Sequence, residues 1–318
     1  MIKHDEINLF GNDLFGEPIK PKVSSVLRKE FTVPPFSVFD ARQGYWMERK
    51  QAWKSIGLEG ELKNLTAGAL DCGVGSVNKR GEFGNDASVS MFDPVLSEIC
   101  CKWFCPSEGQ IVDPFAGGSV RGIVAESLGF NYWGCDIRES QVVSNRKQAE
   151  KIIPYRQPKW VVGDAMKVLC GAPDADFIFS CPPYGDLERY SNDPNDISTM
   201  EYHTFMAAYK RIILRAGKRL KNNRFACFVV GDFRNKKSGY YRGFVNDTIA
   251  AFKDVGMELY NEAILLTILS AAPLRAGGLF RKTKKLCKSH QNVLVFVKGD
   301  PKLATANIVE VINESNTS

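Results

Sequence analysis

Short apolar runs alternate with helical patterns over residues 110–297, and this alternation constrains the fold more than any other feature of the chain. The runs typical of strands are 110–113, 131–136, 160–164, 176–180 and 224–231. Strands that alternate with helices form a mostly parallel sheet with helices on both faces. We therefore predict a doubly wound α/β fold.

Two further apolar runs, 258–269 and 292–297, lie near the C-terminus with no helical pattern between them. We expect them to form an antiparallel edge of the sheet. Between the fourth and fifth strands, a helix of about 20 residues is predicted to open at the capping box Ser198-x-x-Glu201. Its apolar residues recur along one side, as in a helix that packs on a core.

Composition suggests four segments. Residues 1–30 are expected to form a flexible arm and residues 31–89 an N-terminal extension, in which 44–55 are helical. Residues 90–300 are predicted to form the main domain, and 301–318 a C-terminal tail.

The overall composition is that of a soluble globular protein. The chain has 318 residues, of which 44% are hydrophobic and 25% charged. It has no apolar run near the roughly 18–20 residues of a membrane span, and its N-terminus lacks a signal-peptide pattern. We therefore expect a cytoplasmic protein with no membrane partner.

The nine cysteines are scattered. An odd number argues against a complete disulfide framework. No Cys-x-x-Cys pair occurs, so a zinc site is not expected, and we predict no bound metal.

The net charge of +6 is concentrated near the C-terminus. No acidic residue occurs between Glu262 and Asp300. Basic residues in this interval are Arg275, Arg281, Lys282, Lys284, Lys285, Lys288 and Lys298. Such a one-sided run favours contact with a polyanion over residues 270–291, although a solvated surface is the usual role of a charge run.

The helix at 44–55 also mixes aromatic and basic residues, among them Tyr45, Trp46 and Trp53. An amphipathic helix that packs its aromatic side chains on the core explains this pattern better than a second polyanion contact.

Residues 177–184, Phe-Ile-Phe-Ser-Cys-Pro-Pro-Tyr, combine a buried strand with an abrupt stop. Pro182 and Pro183 have no N–H for a strand ladder. The carbonyl groups of Cys181 and Pro182 are then available beside the ring of Tyr184, an arrangement that suits a flat base with an exocyclic amine. The alternative is an ordinary exit from a strand.

Three strand ends carry a second group of polar residues. Gly117 and Gly118 follow the strand that ends at Asp113, which allows a ligand to approach the backbone. Asp136 ends the next strand, where an acid typically accepts hydrogen bonds from ribose, and Asp164 could accept from adenine. Tight packing and helix caps are the alternatives. Together these residues predict a cofactor that contains adenosine.

These motifs carry a family resemblance. Asp113-Pro-Phe-Ala-Gly-Gly-Ser119 resembles the S-adenosyl-L-methionine signature of prokaryotic and phage DNA amino-methyltransferases, and Cys181-Pro182-Pro183-Tyr184 resembles their catalytic tetrad. Ser90 to Leu96 resembles the segment that closes over the methionine part of the cofactor. The resemblance covers about residues 90–298, and residues 1–89 match no family pattern.

The resemblance implies a Rossmann-like methyltransferase domain that methylates adenine N6 or cytosine N4 in DNA, as in restriction–modification systems, in a bacterium or phage-infected cell. The implied partners are S-adenosyl-L-methionine and DNA. The implied catalytic residues are Cys181, Pro182, Pro183, Tyr184 and Asp186. The implied cofactor-binding residues are Phe92, Asp113, Phe115, Gly117, Gly118, Ser119, Asp136, Ile137 and Asp164. The candidate DNA-binding residues are Arg275, Arg281, Lys282, Lys284, Lys285 and Lys288.

Position 181 departs from the family pattern, which has Asp, Asn or Ser there. A thiol is a weak acceptor, so backbone carbonyls or Asp186 would hold the amine. Alternatively, Cys181 is a nucleophile toward cytosine carbon-5. Cytosine carbon-5 methylation, RNA methylation and DNA binding without catalysis thus stay open as functions. The loop 185–194 is a further candidate, as a cover over the active site.

Overall fold

A computed structural model describes residues 23–60, 91–185, 195–267 and 272–314, with side chains at 27–60, 91–185, 195–267 and 276–308. The chain divides into two compact units, Met1–Phe36 and Ser37–Ser318. Within the first unit, helix α1 occupies Val23–Phe31, where the sequence predicts a flexible arm.

The second unit contains a central sheet with helices packed on it. Its strands are β1 (Val38–Asp40), β2 (Gln110–Asp113), β3 (Asn131–Asp136), β4 (Lys159–Val162), β5 (Ala175–Ser180), β6 (Leu220–Val230), β7 (Met257–Leu266) and β8 (His290–Lys298). Its helices are α2 (Gly44–Ser55), α3 (Pro94–Phe104), α4 (Val120–Ser127), α5 (Glu139–Ile152), α6 (Ala165–Val168), α7 (Tyr202–Arg219), α8 (Phe244–Lys253), α9 (Ala272–Thr283) and α10 (Pro301–Glu314). The boundaries predicted at residues 90 and 300 stay predictions.

The eight strands follow the order β1-β7-β8-β6-β5-β2-β3-β4. The pairs β2–β3, β3–β4, β2–β5 and β5–β6 are parallel. The strand order reverses at β2, which is the switch point next to which ligands bind in doubly wound sheets. The predicted fold class is therefore confirmed.

The antiparallel part of the sheet is confirmed with one refinement. Strand β8 is antiparallel to both β6 and β7, and it lies between them. Strand β1 then pairs in parallel with the outer side of β7. Helix α9 lies between β7 and β8 in the chain, where the sequence shows no helical pattern.

Alternate side chains of the strands reach opposite faces of the sheet, as the period of two requires. Ile178 and Phe228 belong to a buried cluster with residues of α7 and α8. Phe177 instead packs its ring near that of Phe104 on α3, with centroids 6.4 Å apart. Different helices thus cover the two faces of the sheet. Because the strands pack on both faces, the carboxyl ends of β2, β3 and β5 are held in place.

Helix α7 starts at Tyr202, and the predicted capping box does not form. Glu201 is the N-cap residue and makes no side-chain cap hydrogen bond. Ser198 lies in a separate 3-10 turn, whose first N–H groups are capped by Asp196, with Oδ1 2.9 Å from Ser198 N. The predicted apolar side of α7 is confirmed, since Phe205, Tyr209 and Ile212 are buried.

Helices α2 and α3 are joined by the buried carboxylate of Glu98. It accepts hydrogen bonds from Arg49, from Lys102 Nζ at 2.7 Å and from Trp53 Nε1 at 2.9 Å. Trp46 of α2 is fully buried, so this helix packs an aromatic side chain on the core as expected. Among the described helices, none combines the length and apolar composition needed to span a membrane.

Candidate active site

A cavity of about 530 Å³ opens at the carboxyl ends of the central strands, beside the switch point. Twelve of the predicted site residues line it: Phe92, Phe115, Gly117, Asp136, Ile137, Asp164, Cys181, Pro182, Pro183, Tyr184, Lys285 and Lys288. Chain segments far apart in sequence therefore share one concave surface.

The glycine turn after β2 is tied to the end of β3. Gly117 has a φ of +50°, a left-handed conformation that favours glycine. Its N–H donates to Asp136 Oδ2 at 3.1 Å, and its carbonyl accepts from Asn145 Nδ2 at 2.8 Å. Asp136 also accepts from Arg138 N at 2.7 Å, so its position is fixed. Its carboxylate is partly exposed at the cavity wall, where a ligand can reach it.

The two carboxylate oxygens of Asp164 have different surroundings. Oδ1 accepts from Met166 N at 2.8 Å and so caps α6. Oδ2 is buried and has no hydrogen-bond partner among the residues that the structure describes. A buried acceptor without a donor is costly, so this atom fits a ligand donor such as an exocyclic amine.

Asp113 lies behind the cavity wall and is fully buried. Its donors are Arg121 Nε at 2.7 Å, Tyr132 Oη at 2.8 Å, Phe115 N at 3.1 Å and Ser180 Oγ at 2.6 Å. Burial alone would lower the pKa of Arg121, but the attraction of Asp113 outweighs it and the pKa is raised. Ser180 Oγ, which also accepts from Phe115 N at 3.2 Å, holds the turn after β2 against the end of β5.

Two other predicted cofactor residues, Gly118 and Ser119, are not among the residues that line the cavity. Ser119 is buried and its Oγ donates to Gln148 Oε1 at 2.6 Å. Their cofactor roles, like that of Asp113, stay predictions.

The residues after β5 form one side of the cavity. Tyr184 is 7% exposed, and its hydroxyl accepts a hydrogen bond from Gln291 Nε2. Its ring lies 6.5 Å from that of Phe233 and 6.3 Å from that of Phe244, measured between centroids. The predicted stiff support for Tyr184 therefore comes from Phe233, Phe244 and Gln291 as well as from the prolines.

Cys181 is partly exposed at the cavity wall, with Sγ 4.0 Å from the hydroxyl oxygen of Tyr184. It also interacts electrostatically with Arg121. Burial raises the pKa of four other thiols, at Cys100, Cys101, Cys105 and Cys135. Cys181 differs from these in being open to a ligand.

Several lining residues were not predicted from the sequence, among them Lys50, Asp196, Asp232, Phe233, Arg234, His290 and Gln291. Burial, followed by the charge of Lys288, lowers the pKa of His290, which favours the neutral imidazole at this wall. His290 and Gln291 come just before an apolar run that is typical of a strand. This position is the one signal in the sequence that could have indicated these two residues.

Some predicted residues are not brought to the cavity. Arg281, Lys282 and Lys284 do not line it. Asp186 and the loop 186–194 lie outside the described residues, as does the side chain of Arg275. In the part of the chain that is described, no group of three or more His, Cys, Asp or Glu residues is placed to hold a metal ion.

No family model matches the chain, and no curated protein matches its sequence. Among solved structures, it is similar to TrmN from Thermus thermophilus, with 14% identity and a TM-score of 0.44 over 65% of this chain and 49% of that one. A candidate RNA methyltransferase from Pyrococcus horikoshii is 12% identical, with a TM-score of 0.46 over 80% of this chain and 100% of that one. A candidate DNA modification methylase, also from Thermus thermophilus, is 18% identical, with a TM-score of 0.32 over 43% of this chain and 51% of that one.

The match thus spans about half the length of TrmN and of the DNA modification methylase. The assignment of function to this chain rests on the residues of the cavity.

Proposed function

We propose that this protein transfers the methyl group of S-adenosyl-L-methionine to the exocyclic amine of adenine (N6) or cytosine (N4) in DNA. One observation carries the proposal. The strand-end carboxylates Asp136 and Asp164 face the same cavity as the Cys181–Tyr184 segment. The cavity therefore offers acceptors for an adenosine next to acceptors and an aromatic ring for a second base.

The residues present fit the cofactor. Asp136 would accept from the ribose hydroxyls. The buried Oδ2 of Asp164, which has no partner in the described part of the chain, would accept from the adenine amine. Phe92, whose ring lies 4.6 Å from the guanidinium carbon of Arg121, would close over the methionine part. When bound, S-adenosyl-L-methionine supplies an electrophilic methyl group on its sulfonium.

The residues after β5 would hold the target base. The amine of adenine or cytosine is a poor nucleophile because its lone pair is delocalised into the ring. The carbonyls of Cys181 and Pro182 would accept from its N–H bonds and keep the nitrogen pyramidal. Tyr184 would bind the ring of the base by stacking, a contact worth about 1–3 kcal/mol. Alignment of the nitrogen with the methyl group would then supply most of the rate gain.

A nucleic-acid substrate is supported by the charge of the cavity rim. Lys285 and Lys288 from the basic interval lie at the wall of the cavity. The target base must leave the duplex to enter such a pocket, at a cost of a few kcal/mol, and phosphate contacts near the rim would offset this cost.

The test has two steps. Titration calorimetry measures binding of S-adenosyl-L-methionine, and its absence contradicts any methyl transfer by this cavity. Mass spectrometry of nucleosides from DNA incubated with protein and cofactor then identifies the product. We expect N6-methyladenine or N4-methylcytosine. If the product is 5-methylcytosine, Cys181 is assigned as a nucleophile. If RNA is methylated and DNA is not, the proposal of a DNA substrate is wrong.

A further inference from the structure

The turn between β6 and α8, residues 232–243, forms a basic projection next to the cavity. It contains Arg234, Lys236, Lys237 and Arg242, and no acidic residue occurs between Asp232 and Asp247. We call it the β6–α8 turn.

Internal hydrogen bonds hold the β6–α8 turn in one shape. Asn235 Oδ1 accepts from Lys237 N at 2.8 Å and from Ser238 N at 3.0 Å. Gly239 has a φ of +74°, and its carbonyl accepts from Arg234 Nη1 at 3.0 Å. The turn is therefore held by hydrogen bonds between its own side chains and backbone.

This shape exposes the residue types that bind a polynucleotide strand. Lys236 and Lys237 are exposed, and Tyr240 is 77% exposed. Arg234 lies over the ring of Tyr241, 3.8 Å from its centroid. Basic side chains interleaved with exposed aromatic rings contact phosphates and stack on bases.

The turn is continuous with the basic interval and with the proposed base pocket. A Cβ atom added at Gly239 would lie 2.9 Å from Lys285 Nζ, and one at Gly231 would lie 3.5 Å from Lys288 Cε. At the root of the turn, Phe233 lies beside the ring of Tyr184. Two basic segments, far apart in sequence, thus meet at one side of the cavity mouth.

We propose that the β6–α8 turn binds the DNA strand that flanks the base in the cavity. Lys236 and Lys237 contact its phosphates, and Tyr240 stacks on an adjacent base. The partner is DNA because of the proposed function, on which this inference rests. Exposed lysines and an exposed aromatic ring on one turn are the combination that contacts phosphates and stacks on bases.

Fluorescence anisotropy with a labelled DNA duplex that contains an unpaired base tests the proposal. Lys236→Gln/Lys237→Gln is expected to weaken binding roughly 10- to 100-fold at 0.1 M salt and to reduce the slope of log K against log salt by about 1.8. Tyr240→Ala is expected to weaken binding roughly 5- to 150-fold with the slope unchanged. Lys147→Gln/Lys151→Gln is the matched control. These two lysines are exposed on α5 and do not line the cavity, so the change should leave affinity as in wild type.

The outcomes separate this proposal from the proposed function. Wild-type affinity in both the lysine and the tyrosine variants overturns the role of the turn but leaves the proposed function standing. Tighter binding to RNA of the same sequence overturns the choice of DNA. A wild-type protein that binds S-adenosyl-L-methionine but no DNA overturns both the turn and the DNA substrate. Failure to bind the cofactor, with the turn still required for DNA binding, overturns methyl transfer alone.

Discussion

The side-chain amide of Gln291 donates a hydrogen bond to the hydroxyl of Tyr184, and this contact joins strand β8 to the segment after β5. It fixes the hydroxyl end of the Tyr184 side chain. The proposed base pocket therefore depends on both segments.

Tyr184→Ala is expected to abolish methylation while binding of S-adenosyl-L-methionine stays close to wild type, because the ring would contact the target base and not the cofactor. Tyr184→Phe retains the ring and should keep most of the activity. Methylation assays with tritiated cofactor and calorimetry on the same samples check both variants. Loss of cofactor binding in the alanine variant would contradict the separate roles.

Asp164→Asn is expected to lower the affinity for S-adenosyl-L-methionine about 10-fold or more. The amide has an NH2 group, which cannot accept a hydrogen bond, in place of one of the two carboxylate oxygens. Hydrogen bonds to charged groups contribute about 1.5–3 kcal/mol. Asp300→Asn is a suitable control, since Asp300 also accepts from a backbone N–H, that of Lys302 at 2.7 Å, and does not line the cavity. Equal cofactor affinity in both variants would contradict a role of Asp164 in binding the cofactor.

Cys181→Ser is expected to retain methylation, because backbone carbonyls would hold the amine and the hydroxyl is a better acceptor than the thiol. The measurement is the initial rate of methyl transfer at saturating cofactor. Complete loss in the serine variant, together with a covalent DNA–protein adduct in the wild type, would instead support a cysteine nucleophile.

Asp113→Ala is expected to lower the free energy of unfolding by about 3–5 kcal/mol, because it leaves the charge of Arg121 buried without its partner. The comparison is Asp254→Ala, which removes the partner of Lys210 in an exposed pair and should cost about 0–1 kcal/mol. Urea denaturation measures both changes. Similar losses in the two variants would mean that the Asp113–Arg121 pair adds little.

Glu98 predicts how stability depends on pH. Burial would raise its pKa, but hydrogen bonds from Arg49, Lys102 and Trp53 outweigh this and lower the pKa below 4.5. The folded state therefore binds its proton less readily than the unfolded state, so Glu98 contributes stability above about pH 4.5 that is lost as pH falls through the folded-state pKa. Glu98→Gln should be less stable than wild type at pH 7 and should lose less on acidification. Urea denaturation at several pH values measures the free energy of unfolding of both proteins. If Glu98 does not contribute, the plots of this free energy against pH run parallel for wild type and variant.

Strong local signals explain why much of the fold could be predicted. Strand 131–136 and helix 139–152 have the bounds expected from the sequence. The predicted capping box at Ser198 does not form, because Ser198 belongs to a separate 3-10 turn that is capped by Asp196. Helix α9 was missed because Gly277 and Gly278 resemble a break, although each costs a helix only about 1 kcal/mol.

The candidate site was predictable where its residues follow strands in the chain, as at Asp136, Asp164 and Cys181. Residues such as Gln291 and Arg234 were not, because a local pattern does not show that β8 lies between β6 and β7 or that the turn after β6 approaches the basic interval. Their place depends on the order of strands in the sheet, which only long-range pairing decides.

The reversed direction of β8 has a consequence for how this scaffold can be altered. Because β7 ends and β8 begins at the same edge of the sheet, the chain from Thr267 to Ser289 leaves and returns at one point, with Thr267 N bonded to Ser289 O at 3.0 Å. The length or sequence of this segment can therefore change without a change in the register of β7 and β8, but its Lys285 and Lys288 line the cavity and change with it. Exchange of the segment between homologous chains would therefore alter one wall of the cavity while the sheet that supports it stays the same.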